Sequence, residues 1–298
     1  MDTKQACERF VAFKSHNTQR RYHAILAQLR EFLAGQSIGS VTPSKALDFV
    51  RGLQAQGKSD ATISNTVALL SALYRHLSDL ALIRGNPWAM ARNVLPARRH
   101  VQVRPTKLVP LELVPEILDL PDPRTKIGVR DRAVLAALFG GGLRRSEVVG
   151  LDLRDVLISA DGSRLVIRES KAGKRQEQAL PDWAAERLAE LVAQRSGDGA
   201  TPIGPLFPTY DLRGRERGRM STASLRRLYS YYLEQVGLEG YAPHSARATA
   251  ATALLQSGAT DREVRDFLRH RTTGMVEVYD KRAKANDKIA GRLKYGNH

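Results

Sequence analysis

His244 and Arg247 stand three positions apart in Pro243-His244-Ser245-Ala246-Arg247, a spacing that sets an imidazole and a guanidinium on one helix face. At a positively polarised helix start both could reach one phosphate; a capping histidine and a surface arginine would fit the pair equally well. Arg144 lies in Gly142-Leu143-Arg144-Arg145-Ser146-Glu147, just beyond an apolar stretch. It could be aimed rigidly at a substrate, or simply pair with Glu147. Lys171 occupies the turn Lys171-Ala172-Gly173-Lys174, a place for a mobile general acid or for plain solvation. His270 closes a helix, where an imidazole also complements the helix dipole. Tyr279 follows nine positions later. A tyrosine with pKa of about 10 becomes a nucleophile only where cations ease its ionisation, and is otherwise one more packed aromatic. Taken singly, each residue is better explained by structure than by chemistry.

Several other chemistries lack their residues. The seven histidines are scattered, with no HExxH pair. Cys7 is the only cysteine, so no intramolecular disulfide and no CxxC zinc pattern can form. No GxxxxGK[ST] phosphate loop occurs, and Gly140-Gly141-Gly142 lacks the lysine. Asp131, Asp152 and Asp155 keep a metal-dependent nuclease open, although helix-end and surface placement is the expectation for them. The formal charge of +16 over 298 residues favours a polyanionic partner, because each neutralised phosphate releases counterions. A basic host proteome or an anionic lipid surface would also fit. No signal core and no run near 18 apolar residues is present, so a cytosolic protein without membrane contact is expected.

These residues must be positioned by helices. Tyr22, Ile25, Leu26, Leu29 and Phe32 form an apolar face that Thr18 could cap and Gly35 stop. Thr42-Pro43 opens a second helix bearing Leu47, Val50 and Leu53, ended by Gly57. A third, about Ser59 to Leu82, carries Ile63, Val67, Leu70, Tyr74 and Leu77 and ends before Gly85-Asn86-Pro87. Residues 1–93 therefore read as a helical bundle. The connector 94–110 holds Arg98, Arg99, Arg104 and Lys107 with no acidic residue, and its prolines keep it extended, as suits a strand along phosphates or a solvated linker. Residues 111–298 are mostly helical: 128–139, 182–195, 221–236, 244–257 and 260–269, the last opening on the capping-box pair Thr260 and Glu263. Strands are expected at 164–169 and 176–180, and the arginine-rich stretch 211–219 reads as a loop.

Taken together and in order, Gly-Leu-Arg-x-Ser-Glu, a hairpin lysine, His-x-x-Arg, Leu-x-His and a tyrosine nine residues on resemble the tyrosine recombinase (phage integrase) family, in its compact two-domain, Xer-like form. The helical front part ending in Asn86-Pro87 matches that layout. The resemblance implies a mainly α fold with a small β-sheet or hairpin: an N-terminal SAM-like core-binding bundle, then an α+β catalytic domain whose tail spans about 281–298. It departs from the family in Gly141, Ala248 and Arg269, where Thr, His and Gly are often found.

What the resemblance implies is a site-specific recombinase that cleaves and rejoins DNA through a 3′-phosphotyrosyl intermediate, with no metal or cofactor. Arg144 and Arg247 would clamp the scissile phosphate, His244 and His270 would donate hydrogen bonds to it, Lys171 would protonate the 5′ oxygen, and Tyr279 would attack. Lys174 ranks second to Lys171 and joins Arg98, Arg99, Arg104 and Lys107 as a DNA contact. The implied partners are duplex DNA with a specific site and three further copies in a homotetramer on two duplexes, with room for a second recombinase or accessory protein. A nucleoid-associated protein of a bacterial cytoplasm is expected. The alternatives are a non-catalytic architectural DNA-binding protein and a type IB topoisomerase-like relaxing enzyme.

Overall fold

The computed structural model describes residues 2–94, 106–168, 175–196, 203–211 and 213–269. The chain divides into two compact units, Met1–Arg104 and Pro105–His298. Among the described residues no helix is long and apolar enough to cross a membrane.

The front unit is built from α1 (Thr3–Ala12), α2 (His16–Phe32), α3 (Pro43–Ala55), α4 (Asp60–Asp79) and α5 (Trp88–Val94). Local chemistry sets most of the starts. Thr42 Oγ1 accepts from the Lys45 amide with Pro43 in the first turn, and Ser59 Oγ accepts from the Thr62 amide. The start of α2 differs from the sequence expectation. Ser15, not Thr18, stands at its N-cap, and the Thr18 hydroxyl is occupied by Ser15 Oγ at 2.9 Å. Helix α1 begins at a capping box between Asp2 and Gln5, an Asp-x-x-Gln spacing that the sequence itself carries. Tyr22, Ile25, Leu26 and Leu29 are buried as expected, whereas Phe32 stays 41% exposed at the end of the stripe. The core gathers around Trp88, which meets Phe49 and Tyr74 edge-on at 5.7 and 5.8 Å. Asn86 aims that indole: its amide donates to Ser71 O and Oγ on α4, and its Oδ1 accepts from the Trp88 amide.

The second unit runs α6 (Val114–Asp119), α7 (Lys126–Phe139), α8 (Arg145–Gly150), β1 (Val156–Leu157), β2 (Arg164–Ile167), β3 (Gln176–Ala179), α9 (Asp182–Ser196), β4 (Pro208–Tyr210), β5 (Glu216–Arg219), α10 (Thr222–Gln235), α11 (His244–Gln256) and α12 (Asp261–Phe267). The apolar helix α7 is its axis, with every residue from Ala133 to Phe139 buried. It packs against Leu188 and Leu191 of α9 and shares a core with Leu225, Tyr229 and Leu233 of α10 and Leu165 of β2. Burying each such side chain contributes roughly 1.5–3 kcal/mol, more than a solvated pair such as Arg51–Asp48, so packing rather than surface charge holds this scaffold. Strands β1, β2 and β3 form an antiparallel sheet, with Leu165 opposite Gln178.

One sequence expectation changes here. The stretch 211–219 is not all loop: β5 pairs antiparallel with β4. All four β5 residues are exposed, so no alternation of apolar and polar residues announces the strand. Asp211 closes the turn by accepting from the Arg215 and Arg217 side chains. Near the end of the 94–110 span, Val109 belongs to the core of the second unit. Val109 is 1% exposed, and its amide donates to Thr249 Oγ1 on α11 at 2.9 Å.

Replacing Asn86 by Ala leaves the Ser71 carbonyl and the Trp88 amide without these partners. The front unit should lose about 2–3 kcal/mol, measured by urea unfolding followed through Trp88 fluorescence; a loss below about 0.5 kcal/mol would contradict the bracing role.

Candidate active site

Arg144 is delivered by the way α7 ends. Gly142 takes φ +56°, and a Cβ there would stand 3.0 Å from Leu268 Cδ2, so a glycine suits both the turn and the close approach. Two residues later Arg144 becomes the N-cap of α8. Glu147, at the third helical position, accepts from the Arg144 amide at 2.8 Å and from its guanidinium Nη1 at 2.6 Å. The same carboxylate accepts from Arg269 Nη2 at 2.7 Å. The side chains of Glu147 and Arg269 are only 3% and 6% exposed, that of Arg144 28%. Burial alone would raise the Glu147 pKa. The Arg269 charge, then the Arg144 amide and guanidinium, outweigh it and hold the carboxyl below its usual range. Arg144 Nη2 also donates to the Arg269 carbonyl at 3.3 Å.

Arg247 arises from α11. The start of that helix is set by Ser245, whose hydroxyl meets the Tyr229 hydroxyl at 2.7 Å and donates to Ala242 O at 2.8 Å. One turn on, the Arg247 side chain is buried, donating from Nη1 to Gly142 O and from Nη2 to Leu268 O. It thus ties the turn before Arg144 to the end of α12. His244, at the solvent-facing first position of α11, lies within electrostatic reach of both arginines. Desolvation, then the charges of Arg247 and Arg144, pull its pKa below 6.5.

The structure therefore brings Arg144, His244 and Arg247 together. Lys171, Lys174, His270, Tyr279, Arg98, Arg99 and Arg104 lie outside the described residues. Strands β2 and β3 are paired to Ile167 opposite Gln176, which flank the segment bearing Lys171. At its base Arg168 Nε donates to the buried Asp155 at 2.5 Å. Lys107 donates from Nζ to Glu239 O at 2.9 Å and sits 5.0 Å over the Tyr241 ring. The three aspartates considered for a metal are not simply surface groups. Asp131 and Asp155 are buried, and each of the three meets an arginine: Asp131 with Arg130, Asp152 with Arg219, Asp155 with Arg168. The sequence reading offered a salt bridge with Glu147 as the structural alternative for Arg144, and that pair is present. It missed Arg269 as a second claimant on Glu147; the only signal was an arginine where glycine was expected.

The sequence matches the profile of the phage integrase family over residues 109–286 and that of the phage integrase N-terminal SAM-like domain over residues 12–79. Tyrosine recombinase XerC of Pelotomaculum thermopropionicum is 31% identical over 237 residues, 78% of this chain and 74% of that protein. Tyrosine recombinase XerC of Myxococcus xanthus is 29% identical over 273 residues, 89% of this chain and 87% of that protein. Among solved structures, the Tn1549 transposon integrase in complex with circular intermediate DNA superposes with a TM-score of 0.71 at 18% identity, over 99% of this chain and 100% of that one. The XerH recombinase bound to palindromic difH substrate gives 0.72 at 18% identity, over 92% and 79%. At such identities the structural likeness speaks for the fold.

A lowered pKa makes His244 neutral at pH 7, and its protonation costs the folded state more than the unfolded one. Its contribution to stability is flat above pH 6.5 and declines as the pH falls from 6.5 through the folded pKa. An NMR titration of the His244 ring should place its midpoint below 6.5, and Arg144→Gln should move it back upward. A wild-type midpoint at or above 6.5 would contradict the arrangement.

Proposed function

The chain belongs to the phage integrase family of site-specific tyrosine recombinases, enzymes that cleave and rejoin DNA, and from that premise we propose that its reaction runs through a covalent bond to Tyr279. The observation that supports this reading is the convergence of Arg144, His244 and Arg247 from two distant segments around one electropositive spot. A phosphodiester repels nucleophiles until its charge is met. Two held guanidiniums and the imidazoles of His244 and His270 meet it, each preorganised donor contributing about 3–4 kcal/mol in the transition state. The Tyr279 oxygen attacks phosphorus, giving up its proton to solvent. The bond to the 5′ oxygen breaks, and Lys171 protonates that oxygen. The 3′-phosphotyrosyl link conserves the bond energy, so a second strand's 5′-hydroxyl can reverse the step without ATP and without a metal or cofactor.

In the same proposal residues 1–93 form a core-binding domain, 94–110 a basic connector and 111–298 the catalytic domain. Arg98, Arg99, Arg104, Lys107 and Lys174 contact phosphates; Lys107 spends one of its three donors on Glu239 O and keeps the others for that task. The working assembly is a homotetramer on two duplexes in a bacterial cytoplasm, its tail (about 281–298) docking on a neighbouring copy.

Two experiments test these points. On nicked duplexes from the gene's neighbourhood, in EDTA, wild type should give a slow band on a denaturing gel and Tyr279→Phe should bind without one; an adduct persisting in the variant defeats the assignment. Deleting residues 285–298 should abolish cooperative assembly on DNA in a native gel while leaving single-site binding within about threefold; unchanged cooperativity means the tail does not dock in trans.

A further inference from the structure

We propose that Arg269 is a positioning residue for Arg144, acting through the Glu147 carboxylate that the two arginines share. The inference rests on Arg144 being a phosphate-binding arginine, as proposed above. Arg269 has φ +54°, a left-handed backbone that glycine adopts freely and an arginine adopts only at a cost. It follows Leu268, the C-cap of α12, where a glycine would end the helix without strain. A large side chain kept on such a backbone must be held by its contacts. This one is turned inward, with Nη2 on Glu147 Oε2 and its own carbonyl accepting from Arg144 Nη2, so Arg269 meets the Arg144 system at both ends. Among the described residues its Nε and Nη1 find no acceptor, which leaves Glu147 as the group that anchors the guanidinium.

Sharing changes what Glu147 does to Arg144. One carboxylate facing one guanidinium cancels its charge. Here two guanidiniums face one carboxylate, leaving the cluster one positive charge in excess. Arg269 occupies Oε2, while Arg144 Nη1 bonds Oε1. Glu147 can therefore orient Arg144 without neutralising the site that receives the phosphate.

The test is single-turnover adduct formation on a nicked duplex chosen because wild type forms the adduct on it, with saturating protein and with Tm and DNA affinity measured alongside. Arg269→Gly should slow adduct formation about tenfold, with Tm unchanged or higher and DNA affinity within about twofold. Arg269→Lys, which restores the charge, should recover to within about threefold of wild type. In a Glu147→Gln background, Arg269→Gly should add almost nothing, because the route through Glu147 is already cut. A wild-type rate in Arg269→Gly, no recovery in Arg269→Lys, a rate loss that follows a fall in Tm, or full additivity with Glu147→Gln each overturns the proposal. Arg144→Ala separates the two readings. If that variant forms adduct normally, the role of Arg144 fails; if it is inactive while Arg269→Gly is normal, the role of Arg269 alone fails.

Discussion

Arg247 carries a charge that only 1% of the residue's surface shares with solvent, and a cation so placed must be met by oxygens or it costs several kcal/mol. The oxygens that meet it are the carbonyls of Gly142, just beyond α7, and of Leu268, at the end of α12. Carbonyls at helix ends lack intrahelical partners and carry the negative end of the helix dipole, so each needs a donor and favours a cationic one. One guanidinium satisfies both, with each charged hydrogen bond contributing about 1.5–3 kcal/mol. Everything else at the site follows from that tie. Arg144 lies two residues beyond one carbonyl, and Arg269 one residue beyond the other, so both reach the same carboxylate.

The cluster that results is cationic yet internally braced. Arg144 is held by a carboxylate and a backbone carbonyl, Arg247 by two carbonyls, Arg269 by Glu147. Groups held this way would need little reorganisation to meet an anion, which is where preorganised electrostatics gains over water. The site's rigidity rests in turn on α7, whose apolar packing sets the position of the Gly142 turn.

The overall charge of +16 is a poorer guide than it first looks. Many arginines in the second unit do structural work. Arg195 pairs with Glu216, Arg187 with Asp119, Arg130 with Asp131, and Arg219 with Asp152. Asp211 gathers Arg215 and Arg217 at the β4–β5 turn. The excess charge points to a polyanion, but which cations face it depends on how the acids are distributed in the folded chain.

The helices were legible in the residues wherever their signals are local. Thr42-Pro43, Ser59, and Thr260 with Glu263 cap α3, α4 and α12 as their spacing predicts. Strand β5 was not, because an exposed arginine-rich strand has no apolar period. For the site, the order of residue types named Arg144, His244 and Arg247 as candidates and left the Arg144–Glu147 pair as a structural alternative. It could not show that Arg247 turns inward to two helix-end carbonyls, that Glu147 serves two arginines, or that Arg269 is buried. Those contacts join residues 105 and 122 positions apart. Local patterns report which face of an element is apolar, whereas pairings across such distances exist only once packing has brought the elements together.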